Sequence, residues 1–283
     1  MNIFLGEPPA NIKKWIIEHY APPTPAAGPL CFTAEQDGSS VSLVYQDYGV
    51  SDPTPPNLQY SLNDTEHWTD YEMNQIIPLA KDAKVFFKAN GQNERISAPP
   101  TMGPPLIYKF VMEGKIAASG NIQYLLDDTG SRTDVPEYCY SDMFSDCASL
   151  TQAPELPATT LADNCYYSMF SGCSSLTQAP ALPATTLAYS CYSSMFSRCA
   201  SLTQAPALPA TTLAEGCYSG MFYGCSSLTS APALPATSLA NSCYGNMFSG
   251  CSKFSECHMK ASMEGVYNKS THGDTTKTVV YDL

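Results

Sequence analysis

Between Cys139 and Cys251 a unit of 26 residues is written four times and begun a fifth time, and that period limits what the chain can become. The copies CYYSMFSGCSSLTQAPALPATTLAYS from Cys165 and CYSSMFSRCASLTQAPALPATTLAEG from Cys191 agree at 21 of 26 positions. A fixed period of this size marks an array in which each unit buries its apolar face against its neighbours. One unit offers too little apolar surface to offset the cost of ordering its own backbone, so stacking must supply the stability.

Inside one copy, Cys191, Met195 and Cys199 fall at i, i+4 and i+8, with Tyr192 and Phe196 on the adjoining row. This spacing predicts a short helix or helical turn. The following Leu202-Thr-Gln-Ala205-Pro-Ala207 has the L-x-x-A-x-A rhythm of a repeat strand with small residues facing inward. Pro206 and Pro209 lack an N–H and so hold any ladder strand to a short length. The two cysteines of a unit stand eight residues apart. On a helix that is about 12 Å, beyond the roughly 7 Å reach of a disulfide. Buried, reduced thiols packing as small hydrophobes are therefore expected. The array contains no histidine, and neither a metal nor a cofactor is expected.

The string Met169-Phe-Ser-Gly-Cys173-Ser-Ser-Leu-Thr177 resembles the A-F-x-x-C-x-x-L-x-x-I core of BspA-type leucine-rich repeats, found in surface proteins of gut and oral bacteria and in their phages. Here Met stands for Ala before the Phe, Ala occupies inward strand positions, and the unit is longer. The resemblance implies a binding or adhesion scaffold rather than an enzyme.

Composition narrows the partners. A formal charge of −12 argues against nucleic acid, whose phosphates call for clustered Lys and Arg. The array holds only Asp142, Asp146, Glu155, Asp163, Glu215 and Arg198 as charged residues, so its surface is built of Ser, Thr, Tyr, Ala and Pro. No run of 18 apolar residues is present, and no membrane span is expected. The opening MNIFLGEPPANIKKWIIEHY mixes acids, prolines and short apolar clusters, unlike a secretion signal. Either such a signal has been removed, or the protein reaches the outside without secretion, as a virion protein does.

Five regions are expected. Residues 1–20 form an anchor: Ile12, Trp15, Ile16 and Tyr20 share one helical face that needs a partner. Ahead of them, Ile3, Phe4 and Leu5 belong to a stretch resembling the I-Y-L-G near the start of some phage structural proteins. Residues 21–29, APPTPAAGP, make a stiff spacer. Residues 30–130 alternate at Val41, Leu43, Tyr45, again at Leu58, Tyr60, Leu62, and at Tyr108, Phe110, Met112, between Pro- and Gly-rich turns. That pattern predicts a small Ig-like β-sandwich. The stretch from Gly114 to Leu126 leads into the array at 131–257 and caps its first unit; it resembles the region before such repeats in Bacteroidales and phage proteins. Residues 258–283 read as two strands around a polar turn, a C-terminal cap. The fold class expected is mainly β with short helical turns, an Ig-like sandwich followed by a leucine-rich-repeat solenoid of 26-residue repeats.

No G-x-S-x-G, phosphate-cradling glycine loop or H-E-x-x-H occurs, and no catalytic residue is nominated. The expectation is a phage virion structural protein, a head or tail fibre or decoration, displayed on the virion surface. Its N-terminus would bind a capsid or tail protein, and its repeats a host-surface glycan or protein. A homo-oligomer, a trimer by preference, would present the array. The alternative is a bacterial cell-surface adhesin of the BspA type. Positions that vary between copies nominate Tyr167, Tyr189, Ser193, Arg198, Glu215 and Tyr223 as ligand contacts. A rival surface is the polar column containing Thr177, Gln178, Thr203 and Gln204.

Overall fold

The computed structural model describes residues 28–46, 54–100, 105–259 and 278–281. The anchor candidates Ile3, Phe4, Leu5, Ile12, Trp15, Ile16 and Tyr20 lie outside the described residues, as do residues 260–277 of the tail. The protein is mainly β; the one helical element described is a 3-10 turn at Ile122–Leu125.

Eight strands build the N-terminal part: β1 Leu30–Ala34, β2 Ser39–Gln46, β3 Leu58–Leu62, β4 Thr69–Asp70, β5 Ile77–Leu79, β6 Lys84–Ala89, β7 Ile107–Glu113 and β8 Ile116–Ser119. They divide between two sheets, one ordered β8-β1-β6-β3-β4 and one ordered β5-β2-β7, with antiparallel pairing throughout. Period-2 patterning places Phe32, Phe87 and Phe110 inward, and these rings close the space between the sheets edge to face, at centroid distances of 4.8 to 5.9 Å. Leu62, expected on the inward face, is instead exposed. Tyr71 reaches from the loop after β4 to bond the backbone of Leu43 in the other sheet.

The repeats follow β9 (Asp134–Val135) and stack at their 26-residue period. Tyr140, Tyr166, Tyr192, Tyr218 and Tyr244 form one column of nearly parallel rings, 5.7 to 5.9 Å apart. Phe144, Phe170, Phe196, Phe222 and Phe248 form a second, 5.3 to 5.8 Å apart. Met143 and its three successors Met169, Met195 and Met221 are fully buried between them.

The segment expected to be helical is not a helix. In the third copy Ser190, Ser194 and Arg198 have φ of 49°, 56° and 60°, a left-handed residue at every fourth position. Asn164, Ser168 and Gly172 repeat this in the second copy. An α-helix admits no such residues, and the chain instead makes consecutive turns. Met195 N donates to Tyr192 O and Cys199 N to Phe196 O within the unit. Between them Tyr192 N, Ser194 N, Phe196 N and Arg198 N donate to Cys217, Ser219, Met221 and Tyr223 carbonyls of the next unit. Local turn bonds and inter-unit bonds thus alternate along the chain, and every second amide stitches one copy to its neighbour. A left-handed residue at the third position is what a type II turn requires, and small or Asx-type residues hold it at least cost.

The strand expected in each copy forms only in the first, as β10 (Leu150–Gln152), which pairs parallel with β8 and extends that sheet. A further pair, β11 (Thr160–Leu161) on β9, again involves only the first unit. Later copies carry nearly the same sequence, with the same prolines, but have no β8 beside them. All twelve cysteines are buried thiols. The last two strands, β12 (Glu256–Met259) and β13 (Thr278–Tyr281), pair in parallel, so the tail is not a simple hairpin.

Candidate functional site

Two surfaces were nominated, and the turns separate them. In the turn half of a copy a left-handed residue recurs at every fourth place; most of the residues beside these are buried, and Tyr167 and Tyr189 are among those that reach solvent.

At the head of the array the exposed rim of these turns carries tyrosines. Tyr167 is 38% exposed and Tyr189 49%. The structure brings a third, half-buried Tyr138, into the same patch. Tyr138 N donates to Asp163 O, Asp142 N to Tyr167 O, and Asn164 N to Tyr189 O, so the three rings belong to three successive rungs. Asp163 fixes the backbone at Tyr189, its Oδ1 accepting from Tyr189 N at 3.0 Å. Burial raises the Tyr138 hydroxyl above its ordinary pKa, and the nearby Glu137, Tyr189, Tyr167 and Asp163 push it the same way. Three phenols and two carboxylates therefore share one face. Its rings offer flat apolar area at small entropic cost, and its hydroxyls offer donors. No sequence rule nominated Tyr138, because its equivalents are Asn164, Ser190, Gly216 and Ser242; only the rung-to-rung register reveals it.

The remaining nominated residues divide. Arg198 and Tyr223 are exposed on adjacent rungs further along, joined by Arg198 N to Tyr223 O at 2.6 Å. Glu215 is exposed, and its Oε1 accepts from Asn241 Nδ2 at 2.8 Å. Ser193 is not a surface residue: it is buried, and its Oγ donates to Ser219 O at 3.1 Å, as Ser219 Oγ does to Gly245 O. Variation at this column misled because a small hydroxyl there serves the inter-unit ladder, whereas Tyr167 in the same column has to swing outward.

Thr177, Gln178, Thr203 and Gln204 are all exposed, along the edge formed by the half of each copy that follows the turns. They form a loose ladder, with Thr203 N 3.5 Å from Thr177 O and Thr229 N 3.2 Å from Thr203 O. Between the first two copies this edge holds a small groove of about 180 Å³, lined by Gln152, Glu155, Gln178 and the prolines around them. Trp68, in the β-domain, is half-buried under Lys88 Nζ at 4.6 Å and donates to Thr65 O.

No protein-family model matches the chain, and neither a curated protein nor a solved structure has significant similarity to it. Among the described residues no helix is long and apolar enough to cross a membrane.

Proposed function

We propose that this protein is a non-enzymatic binding scaffold, a fibre or decoration protein of a phage virion that reads a host-surface glycan with the tyrosine face of its repeats. The observation that carries the reading is that face: Tyr138, Tyr167 and Tyr189 standing together on three rungs whose backbones are locked to one another. A rigid array presenting exposed aromatic rings without a deep cleft suits an extended ligand better than a small substrate. Glu137 and Asp163 beside the rings disfavour an acidic polysaccharide, so the glycan is neutral. A protein ligand is the other outcome to look for.

In this reading the repeats are a leucine-rich-repeat solenoid related to the BspA type, and the two sheets an Ig-like sandwich. The order β8-β1-β6-β3 facing β5-β2-β7 supports the latter. It alternates as the A-B-E-D and C-F-G sheets do, with β8, late in the domain, in the outer place beside β1. Residues 1–20, with their apolar face at Ile12, Trp15, Ile16 and Tyr20, attach the body to a capsid or tail protein and gather copies into an oligomer, a trimer by preference. The alternative, a bacterial cell-surface adhesin, rests on the same repeat motif.

The experiment is incorporation. Full-length protein and a variant lacking residues 1–20, matched in circular dichroism, are added to particles that lack the protein. The reading expects the full-length chain to co-sediment and the truncated chain to stay in solution. Equal behaviour of the two would overturn the anchor, and a secretion signal encoded upstream of Met1 would favour the adhesin.

A further inference from the structure

One carboxylate of the array stands without a donor. Each of the first four copies carries the segment A-P-x-L-P-A, and its variable place holds Ala181, Ala207 and Ala233 in the later three. Only in the first copy is that place charged, by Glu155. The head of the array holds the Glu155 backbone: its N–H donates to Gly120 O at 2.9 Å and its carbonyl accepts from Ile122 N at 3.2 Å. The side chain is half-buried, and its Oε2 is buried with no hydrogen-bond partner. Asn121, across the same contact, is already committed, its Oδ1 accepting from Gln123 N and its Nδ2 donating to Gly130 O. Arg132 is committed too, to Asp134 and to the carbonyls of Asn93 and Glu94. A carboxylate oxygen desolvated in this way raises the free energy of the protein, and a ligand that brings a donor to it binds with that much advantage.

The groove that Glu155 lines is rich in acceptors. It lies between the first and second copies, about 180 Å³ in volume, with Pro154, Pro157, Pro180 and Pro183 in its lining. Prolines offer carbonyls but no N–H, and an ionised carboxylate only accepts. A second acid stands close by: Glu35 Oε1 accepts from the hydroxyl of Thr151, the residue before the groove-lining Gln152, at 3.1 Å. Such a lining selects a ligand made of donors. A guanidinium has five N–H donors and no acceptor, stays charged, and travels on an aliphatic stem that packs against apolar walls. Sugar hydroxyls accept as well as donate and match this lining less well. The volume is below the roughly 300–1,000 Å³ of small-molecule pockets and suits one side chain. A calcium ion would find a single carboxylate, too little ligand charge to hold it.

We propose that the groove between the first two copies takes an arginine side chain of a partner protein, with Glu155 pairing its guanidinium. To face the groove the carboxylate turns about its terminal torsion, which is soft in glutamate. The partner is therefore a protein with an exposed basic segment, and the −12 charge of the chain favours its approach. This site lies on the half of the copy that follows the turns, and it stands whether or not the tyrosines read a glycan.

The test uses the full-length chain and two capped tripeptides, acetyl-Gly-Arg-Gly-amide and its citrulline counterpart, which keeps the shape and lacks the charge. Relaxation-optimised amide NMR follows each titration into the millimolar range, because a single side chain binds weakly. The arginine peptide is expected to give saturable shifts at Gln152, Glu155, Leu156 and Gln178. The citrulline peptide is expected to bind about ten-fold more weakly, as is the arginine peptide to Glu155→Ala. That variant carries the residue of the later copies, and matched thermal melts establish that it is folded; should it not fold, the comparison of the two peptides on the unaltered chain still decides. Equal binding of the two peptides, or undiminished binding to the folded Glu155→Ala chain, overturns the proposal. So does the absence of saturable shifts, or their gathering around Tyr138 and Tyr167 instead.

Discussion

Cys147 Sγ donates to the carbonyl of Phe110 at 3.2 Å, and so does for β7 what Cys173, Cys199, Cys225 and Cys251 do for Phe144, Phe170, Phe196 and Phe222. The imitation extends further. Phe110 N donates to Met143 O as Phe144 N does to Met169 O, and the rings of Phe110 and Phe144 stack at 5.5 Å. Ser97 N meets Cys139 O just as Tyr140 N meets Cys165 O. A strand of the β-domain and a neighbouring loop thus supply part of the rung before the first, and β8 beside β10, with Asn121 beside Glu155, supplies the rest of the head cap.

Phe110→Ala is accordingly expected to cost about 3–5 kcal/mol, as for a fully buried ring, and to be felt on both sides of the junction. Hydrogen exchange should speed up in the amides of 139–147 as well as in β2 and β7. Loss confined to the β-domain would mean that the first copy stands without this template.

Asp142 gives the first copy a pH dependence. Burial raises its pKa to about 6 from the ordinary 3.8, with Asp146 adding to the shift and Ser141 and Lys109 opposing it. The folded state therefore holds a proton that the unfolded chain releases between about pH 4 and pH 6. Stability is greatest below that window and falls as pH rises through it, by about 2–3 kcal/mol in total. Asn246 occupies the same left-handed position in the fifth copy. Asp142→Asn should flatten the pH profile in urea denaturation and stabilise the protein at pH 7. An unchanged profile would show that water reaches the carboxylate.

The tyrosine column contains two different hydroxyls. Tyr140 Oη donates to Ile122 O or Gln123 Oε1, whereas Tyr166 Oη is buried with no hydrogen-bond partner. Removing a satisfied buried hydroxyl and removing an orphaned one have opposite signs. Tyr140→Phe should destabilise by about 1 kcal/mol, and Tyr166→Phe should be neutral or raise the melting temperature. Equal losses in both would place an ordered water at Tyr166.

The thiols should be inert in the folded protein. Burial pushes Cys139, Cys147, Cys191 and Cys199 up to about 12, leaving almost no thiolate at neutral pH. Iodoacetamide labelling followed by mass spectrometry should find array cysteines modified only after denaturation. Rapid labelling of most of them would contradict the packing.

How the sequence maps onto this structure is best seen at particular residues. The columns were legible, because Tyr192, Met195, Phe196 and Leu202 recur at one period and no single copy could bury them alone. The backbone path was not. Cys191, Met195 and Cys199 at i, i+4 and i+8 fit both a 3.6-residue helix and a four-residue run of turns, and the discriminating signal lay between them. Ser190, Ser194 and Arg198, with Asn164, Ser168 and Gly172 one unit earlier, put residues that tolerate φ > 0 at every fourth place. The roles of Phe110 and Ser97 were hidden because they belong to no repeat and act only through distant contacts. At the candidate site, Tyr167 and Tyr189 could be named from their variation between copies. Tyr138 could not, and variation wrongly promoted Ser193, whose hydroxyl is spent on Ser219.

The tyrosine face can be removed without disturbing the rungs, because other copies carry suitable replacements. Asn164 stands where Tyr138 does, Ser141 where Tyr167 does, and Asn241 where Tyr189 does. The triple variant Tyr138→Asn, Tyr167→Ser, Tyr189→Asn should therefore keep its melting temperature within a few degrees. Affinity electrophoresis through gels containing neutral surface polysaccharide from gut bacteria measures the central claim most directly. Retardation of the unaltered protein, insensitive to salt because the ligand is uncharged, should weaken at least ten-fold in the triple variant, as expected for three stacking contacts of about 0.5–1.5 kcal/mol each. Substituting Thr177 and Thr203 should leave it unchanged. A triple variant that migrates as the unaltered protein does, or retardation abolished by the threonine substitutions instead, would contradict the account.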